Sequence, residues 1–304
     1  MIADIALATP PVAMMALGLF LMFRVLGELD LSVDATYTNG AAVIALATLS
    51  GLSPWLGLLA AALTGALVSL LVFAIHRIGR TAYLLASLIV LTGLYSINLR
   101  VLGGATVGLI GQPSIFDSVP FAAEWVRIAL LLAILAVVCA ALFGFLKTAF
   151  GLSMRASGNN AVMARANGVD TRKTLLVGAL LAGALYGLGG ALQVQIQGYA
   201  DITMGIGAII VCVAAVFIGE LFFPPEGRIG AGLAGVLVGS TLYVVILTVA
   251  LRSGLPPTDL RLATASILLV AVLLSSARLR GRHLMGPLER VRRVRWSLRR
   301  AETR

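Results

Sequence analysis

The chain has 304 residues, of which 60% are hydrophobic and only 12% are charged, and its net charge is +10. A soluble protein needs about twice that share of charged residues to cover its surface, so this composition excludes a soluble domain. We predict an all-α, polytopic transmembrane helical bundle. Ten of the basic residues follow Ala277, and such a basic tail favours contact with anionic membrane lipid over nucleic acid.

Nine apolar stretches of helical length follow one another in residues 1–277, and we expect about nine or ten membrane spans there. The second span is short and follows a polar segment, so a broken or re-entrant backbone is predicted at that point. Glycines four residues apart in spans six (Gly183, Gly187) and eight (Gly235, Gly239) predict close helix packing. The basic tail, 278–304, follows the last span. The predicted spans are 5–23, 38–52, 54–75, 82–99, 125–146, 174–196, 205–222, 229–251 and 262–277.

Lysine and arginine fall mainly on one side of these predicted spans. When the tail is placed inside, nine basic loop residues and the ten tail arginines lie inside, and four of the 23 lie outside, namely Arg100, Arg127, Arg252 and Arg261. The positive-inside rule therefore predicts a cytoplasmic C-terminus. The N-terminus lies outside if the number of spans is odd.

The longest internal loop, between the fifth and sixth spans, has a recognisable pattern. Ser157 or Asn159 can cap a short helix over 160–167, and Gly168 can supply the left-handed residue after it. Asp170 can then cap the next span. Because a helix of two turns is not stable alone, this one needs a surface to pack against. The alternative is a structured loop without a function.

Polar side chains inside apolar spans are candidates for a solute pathway, because their burial in lipid is costly. Tyr95 and Asn98 are three residues apart and are predicted to share one helix face. Gln193, Gln195 and Gln197 alternate with apolar residues, which does not fit one helical face and suggests a bend or re-entrant turn. The candidates are Asp30, Ser32, Asp34, Asn39, Tyr95, Asn98, Gln193 and Gln197.

Each pathway candidate also has a purely structural interpretation. Asp30 and Asp34 lie near a predicted span end, where a carboxylate can cap a helix or reach the interface. The asparagines and Tyr95 can form hydrogen bonds between helices. The glutamines can lie on a solvated helix end.

The sequence predicts no chemistry within the chain. Cys139 and Cys212 lie inside apolar stretches, and His76 and His283 lie in basic flanking segments, so neither pair indicates a metal site. The sequence contains no P-loop, no zinc-protease motif and no nucleophile motif with a histidine to serve it. We therefore expect no catalytic residue, no metal ligand and no cofactor bound by this chain.

The run GLSMRASGNNAVMARANG, over 151–168, resembles the cytoplasmic coupling loop of ABC-importer permeases of the branched-chain amino acid and ribose type. GELDLSVDATYTNGAAV, over 27–43, is similar to the end of that family's first span, although Asp34 stands where many relatives have glycine. Segments 92–104, 197–207 and 255–265 resemble a subgroup paired with binding proteins for aromatic or other amino acids. The coupling-loop pattern is matched at Gly151, Arg155, Ala156, Gly158, Asn160, Ala164 and Gly168.

This resemblance, which covers about residues 5–277, implies a permease subunit of an ATP-driven importer in a bacterial inner membrane. A separate cytoplasmic ATPase would hold ATP and Mg and would receive the short helix of the coupling loop, 148–173. The matched residues and Arg165 would couple the two subunits, so that ATPase closure moves spans five and six in alternating access. A second permease copy would complete a homodimer. A periplasmic or lipid-anchored binding protein would deliver a small, amino acid-like solute.

An ion-coupled secondary transporter is the alternative. Such a transporter binds its solute near the membrane midplane and uses carboxylates there for ion coupling. Asp30, Asp34 and Asp201 all lie near predicted span ends, so the sequence favours the ATP-driven permease.

Overall fold

The computed structural model describes residues 1–118, 124–223, 229–253, 259 and 262–273. The predicted all-α, polytopic helical bundle is confirmed. Two strands, β1 (Thr106–Gly108) and β2 (Tyr199–Asp201), form one short antiparallel pair, and a π-helix (Leu21–Leu26) continues α1 directly. The helices are α1 (Ile2–Phe20), α2 (Val33–Leu49), α3 (Pro54–Gly79), α4 (Tyr83–Leu102), α5 (Glu124–Lys147), α6 (Ala149–Asn159), α7 (Ala161–Ala166), α8 (Thr171–Gln197), α9 (Ala208–Phe222), α10 (Ile229–Arg252) and α11 (Leu262–Leu273).

Each predicted span corresponds to one of these helices. Within the described residues, six are long and apolar enough to cross a membrane, namely α1 with its π-helix, α3, α4, α5, α8 and α10; α2, α9 and α11 are shorter. The backbone over 27–32 is not helical, which agrees with the break predicted before the second span. α2 itself starts at Val33, five residues earlier than predicted. The tail, 278–304, and the last four residues of the ninth predicted span lie outside the described residues.

Ion pairs at the helix ends show that α1 runs parallel to α9 and antiparallel to α10. Arg24, in the π-helix, pairs with Glu220 at the end of α9. At the other end of α1, Asp4 lies 3.0 Å from the guanidinium of Arg252 at the end of α10. We call the end that contains Arg24 and Glu220 the basic end. It also carries α6, α7, the last turn of α3 and the first turn of α8, with their arginines. The opposite end carries the β1–β2 pair.

Glycine allows the closest helix contacts in the bundle. A Cβ atom added to Gly187 of α8 would lie 2.2 Å from the carbonyl oxygen of Ala61 on α3, and one added to Gly239 of α10 would lie 1.9 Å from that of Ala215 on α9. No side chain fits at such separations. The close packing predicted from the paired glycines is therefore confirmed, and α8 lies at the centre of the bundle against α1, α2 and α3.

Candidate coupling and pathway sites

The segment between α5 and α8 contains two helices where one was predicted. α6 begins after Thr148, whose hydroxyl accepts a hydrogen bond from the backbone N–H of Gly151 at 3.2 Å. The cap of α7 is Asn160, whose Oδ1 accepts from the N–H groups of Val162 at 3.1 Å and Met163 at 3.0 Å. The prediction that Ser157 or Asn159 caps the short helix is therefore wrong, because both residues lie inside α6.

The end of α7 follows the sequence prediction. Gly168 has a left-handed φ of +81°, and its N–H donates to the carbonyl of Arg165 at 3.0 Å. Asp170 caps α8 by accepting from the N–H groups of Arg172 and Lys173 at 3.0 and 3.3 Å. These hydrogen bonds lower the pKa of the Asp170 carboxyl, the one from Lys173 most. Local residue types therefore determine how the chain leaves α7 and enters α8.

α6 is wedged between the ends of three long helices. A Cβ on Gly151 would lie 2.5 Å from the Cα of Leu146 in α5, and a Cβ on Gly158 would lie 2.0 Å from the carbonyl oxygen of Val25 in the π-helix. On the third side, Thr174 of α8 donates a buried hydrogen bond to the hydroxyl of Ser157 at 3.1 Å. Displacement of α6 must therefore displace α1, α5 and α8 together, since close-packed contacts transmit strain.

α7 presents one face to the chain and another to solvent. Ala164 is only 4% exposed, whereas Val162 is 71% and Met163 is 64% exposed. Ala164 therefore holds α7 against its own chain, and the expectation that it packs against a partner is wrong. The apolar side chains available to a partner are those of Val162 and Met163, and Arg165 is exposed beside them.

Arg155 and Ala156 line a cavity of about 590 Å³ at the basic end, together with Arg24 and the start of α10. Ala156 is exposed, and the Nε of Arg155 is buried without a hydrogen-bond partner within the described residues. These two matched residues therefore line the cavity next to α6.

Asp34 joins two helices that are distant in the sequence. Its carboxylate accepts from the N–H of Gly207 at 2.9 Å and from that of Ile209 at 2.8 Å, and so caps α9. Asp30 is buried in the turn before α2. Its Oδ1 accepts two hydrogen bonds from Ser32, one from the backbone N–H at 2.9 Å and one from the side-chain hydroxyl at 2.7 Å. Three of the pathway candidates, Asp30, Ser32 and Asp34, therefore lie in helix caps and turns. This is the structural alternative to a pathway role.

Asn39 and Asn98 form a buried connection between α2 and α4. The side-chain amide of Asn39 donates to Oδ1 of Asn98 at 3.0 Å, and that of Asn98 donates to the carbonyl of Ala35 at 2.9 Å. Tyr95 is instead 48% exposed, so the prediction that it shares a face with Asn98 is wrong. Three residues leave an angle of roughly 60° between side chains, enough to separate a helix contact from the outer surface.

The glutamines at the end of α8 lie on an unbroken helix. α8 continues through Gln197 and ends at Gly198, whose φ is +74°, so the bend predicted within the alternating glutamines is wrong. Gln195 is buried, and its Oε1 accepts from the N–H of Ile115 at 3.0 Å. Gln193 is half-buried and Gln197 is exposed. Only these last two remain available to a solute.

Asp201, which the sequence singled out only as a carboxylate near a predicted span end, forms several hydrogen bonds at the opposite end. Its carboxylate accepts hydrogen bonds from the hydroxyl of Thr106 on β1 and from the N–H of Thr203, the latter at 2.7 Å. The Thr106 hydroxyl, followed by the Thr203 groups, lowers the pKa of the Asp201 carboxyl. The carboxylate therefore stabilises the β1–β2 pair.

Residues 1–274 match the family described as the permease component of a branched-chain amino acid transport system. The chain belongs to this family. Together with the apolar helices, this match makes it a multi-pass membrane protein and the permease component of an ABC transporter for small solutes. Within the described residues, no group of three histidine, cysteine, aspartate or glutamate side chains could hold a metal ion.

Individual relatives differ in the solute that their names state. The tyrosine transport system permease protein of Clostridioides difficile (strain R20291) is 31% identical over 84% of this chain and 85% of its own length. The galactofuranose transporter permease protein of Escherichia coli (strain K12) is 30% identical over 90% of this chain and 79% of its own. A nucleoside ABC transporter permease protein of Lactococcus lactis is 28% identical over 47% of this chain and 37% of its own. No solved structure matches the chain.

Proposed function

We propose that this chain is the membrane subunit of an ABC importer, which moves a small solute inward by alternating access while a separate ATPase subunit supplies the energy. The observation that carries this proposal is the arrangement of α6 and α7. α7 exposes Val162 and Met163, and α6 is wedged against three long helices through Gly151, Ser157 and Gly158. A partner that binds α7 can therefore move α6, and with it the ends of α1, α5 and α8. The expected motion is a rigid-body rocking of helices.

The distribution of arginines supports a cytoplasmic location for the basic end. Arg24, Arg77, Arg165 and Arg172 gather there around α6 and α7, and positive charge accumulates on the cytoplasmic side of membrane proteins. In this orientation α7 faces the compartment that contains ATP. The C-terminal tail would be cytoplasmic as well, and the membrane would be the inner membrane of a bacterium.

A second copy of the chain would complete the solute pathway. Asp30, Asn39 and Asn98 are buried among helices of one chain and engaged in hydrogen bonds there, so they leave little room for a solute. Tyr95 and Gln197 are polar and exposed, and they can line a pathway that forms between two copies. This proposal makes the homodimer a requirement of transport.

The opposite end would receive the solute from a periplasmic or lipid-anchored binding protein. The β1–β2 pair, held by Asp201, lies there. The same end carries two charged side chains, Asp117 and Arg127, the second of which lies over the ring of Phe116. Charges on such a rim mainly set the association rate and the orientation of a partner. The tyrosine permease named above supports an amino acid-like solute, whereas the galactofuranose and nucleoside permeases do not distinguish it from a sugar or a nucleoside.

The proposal is tested by transport into vesicles that contain the chain with its co-purified ATPase and binding protein. Met163→Glu should abolish ATP-driven uptake and the stimulation of ATP hydrolysis by the loaded binding protein, because it places a charge on the apolar contact face of α7. Met163→Leu, which conserves volume and polarity, should leave both unchanged. Both variants should insert and fold, since Met163 is exposed.

Two outcomes would contradict the proposal. The first is unchanged coupling between ATP hydrolysis and uptake in the Met163→Glu variant. The second is uptake by the chain alone, driven by an ion gradient in vesicles that contain no ATPase, which would establish the secondary transporter instead.

A further inference from the structure

A second cavity at the basic end is lined by several cationic side chains. It has a volume of about 290 Å³ and lies between the last turn of α3, the α6–α7 connection and the first turn of α8. Arg77 of α3, Arg165 of α7 and Arg172 of α8 contribute guanidinium groups from three separate elements, and His76 adds an imidazole. Glu28 is the one carboxylate among the residues that line it. The cavity therefore carries an excess of positive charge.

The arginines of this cavity are not neutralised within the described part of the chain. None of the three forms an ion pair there, and the Nε of Arg165 only donates to the carbonyl of Ala161 in its own helix, at 3.1 Å. Asp170 lies close to Arg172, but its Oδ1 caps α8 and its Oδ2 lies 3.8 Å from the ammonium of Lys173. Glu28 offsets one positive charge and leaves at least two.

Guanidinium groups on several elements around a small cavity suit one class of ligand. Arginine presents a planar fork of N–H donors that matches the oxygens of a phosphate group, and its charge persists at every physiological pH. Three such groups can surround one phosphate. Neutral ligands would leave the charges unpaired, which is unfavourable in a partly enclosed site.

The outer surface of α3 leads directly to this cavity. Leu56, Leu63 and Leu70 are exposed along one stripe of the helix, which suits contact with lipid acyl chains. Arg77 follows Leu70 at the same seven-residue spacing, and at about 100° per residue this places it on the same stripe at the end of the helix. A phospholipid whose chains lie on the stripe would therefore bring its phosphate to Arg77.

We propose that the cavity between α3, α7 and α8 binds an anionic phosphate group, which bridges Arg77, Arg165 and Arg172. The group is carried by a phospholipid headgroup or is a free phosphate, and the chemistry of recognition is the same for both. Once bound, it links α7 to the end of α3, in addition to the contacts that α6 makes. The site does not depend on the ATPase, so it can be tested separately from the proposed function.

The test compares lipid retention by the full chain in four forms, the wild type and three double variants, after purification from bilayers of phosphatidylcholine with and without phosphatidylglycerol. The test variant is the Arg77→Gln, Arg172→Gln double variant. The control is Arg100→Gln with Arg127→Gln, which removes the same charge at the opposite end. Native mass spectrometry counts the phosphatidylglycerol molecules that stay bound, and the tail, 278–304, contributes equally in every form. Titration with inorganic phosphate at constant ionic strength, followed by thermal unfolding, measures the free anion.

The expected result is tight retention of phosphatidylglycerol by the wild type and the control, and a loss of affinity on the order of tenfold for each arginine removed from the cavity. The Arg77→Lys, Arg172→Lys variant should recover part of the affinity, which separates charge from folding. If inorganic phosphate stabilises the wild type, phosphatidylglycerol is not retained, and the Arg77→Gln, Arg172→Gln variant loses the stabilisation, the site binds the free anion. Equal retention and equal phosphate response in all forms would overturn the proposal.

Discussion

The carboxylate of Asp34 accepts a hydrogen bond of 2.8 Å from the backbone N–H of Ile209, 175 residues later in the chain. With the hydrogen bond from Gly207, it supplies the N-terminal cap of α9, which no residue of α9 provides for itself. Two helices that are far apart in sequence are therefore joined by one side chain.

Asp34→Ala should loosen α9 and lower stability by about 1–2 kcal/mol, the usual cost of a lost N-cap, and Asp34→Asn should cost less because it keeps an acceptor. Cys212 lies on α9 and is buried, so its reaction with a thiol reagent in a Cys139→Ser background reports the opening of this helix. The rate should increase in the order wild type, Asp34→Asn, Asp34→Ala. Identical rates in all three would show that the cap does not hold α9.

Gly158→Ala should disturb the wedge formed by α6. The added Cβ would lie 2.0 Å from the backbone oxygen of Val25, so the helix must move, at a cost of about 1–3 kcal/mol for overpacking. We expect impaired coupling of ATP hydrolysis to uptake in reconstituted vesicles. The matched control is Gly144→Ala in α5, where the described residues place no atom beyond the neighbouring backbone of α5 within 4 Å of the added Cβ. The better helix propensity of alanine should make this change neutral or stabilising. Full coupling of ATP hydrolysis to uptake in the Gly158→Ala variant would show that the tight packing of α6 against the π-helix is not needed for transport.

Asn39 and Asn98 should behave as a coupled pair. Asn98→Leu leaves the amide of Asn39 without its acceptor, which should cost about 1–3 kcal/mol. The Asn39→Leu, Asn98→Leu double variant removes both partners and should cost less than the sum of the single changes. Thermal unfolding of all four forms gives the coupling energy. If the double variant folds normally but no longer transports, the pair belongs to the solute pathway rather than to helix packing.

Glu28 should make stability depend on pH. Burial raises the pKa of its carboxyl above the ordinary value of 4.5, and the nearby His76 opposes that shift. The folded state therefore holds the proton more tightly, so this contribution to stability is present below the ordinary pKa and is lost as the pH rises through the folded pKa. Relative to the wild type, Glu28→Gln should become progressively more stable as the pH rises above the ordinary pKa. A difference in unfolding temperature that does not change with pH would be inconsistent with this account.

Local features of the sequence were predicted well. The apolar spans follow from composition along the chain, and Gly168 and Asp170 adopt the predicted positions because both act on backbone groups within a few residues. The family resemblance likewise depends on a contiguous run, and the match over residues 1–274 bears it out. The role of that run in binding an ATPase stays a prediction.

Features that depend on distant contacts were not accessible to the same reasoning. Nothing near Asp34 indicates that its partners lie after β2, and the separation of Tyr95 from Asn98 depends on where α2 packs. The residues of α6 resemble a loop in the sequence, because its small side chains are explained only by the close contacts with α5 and the π-helix. The burial of Ala164 against its own chain likewise depends on contacts outside α7.

Arg24 and Asp34 are only ten residues apart in the chain, yet they hold the two ends of α9, through Glu220 and Ile209 respectively. Neither end of α9 can therefore move independently of this short segment of the chain. If α1 and α2 tilt during a transport cycle, α9 must therefore tilt with them. A variant that breaks the contact at only one end of α9 would let that end move separately from α1 and α2.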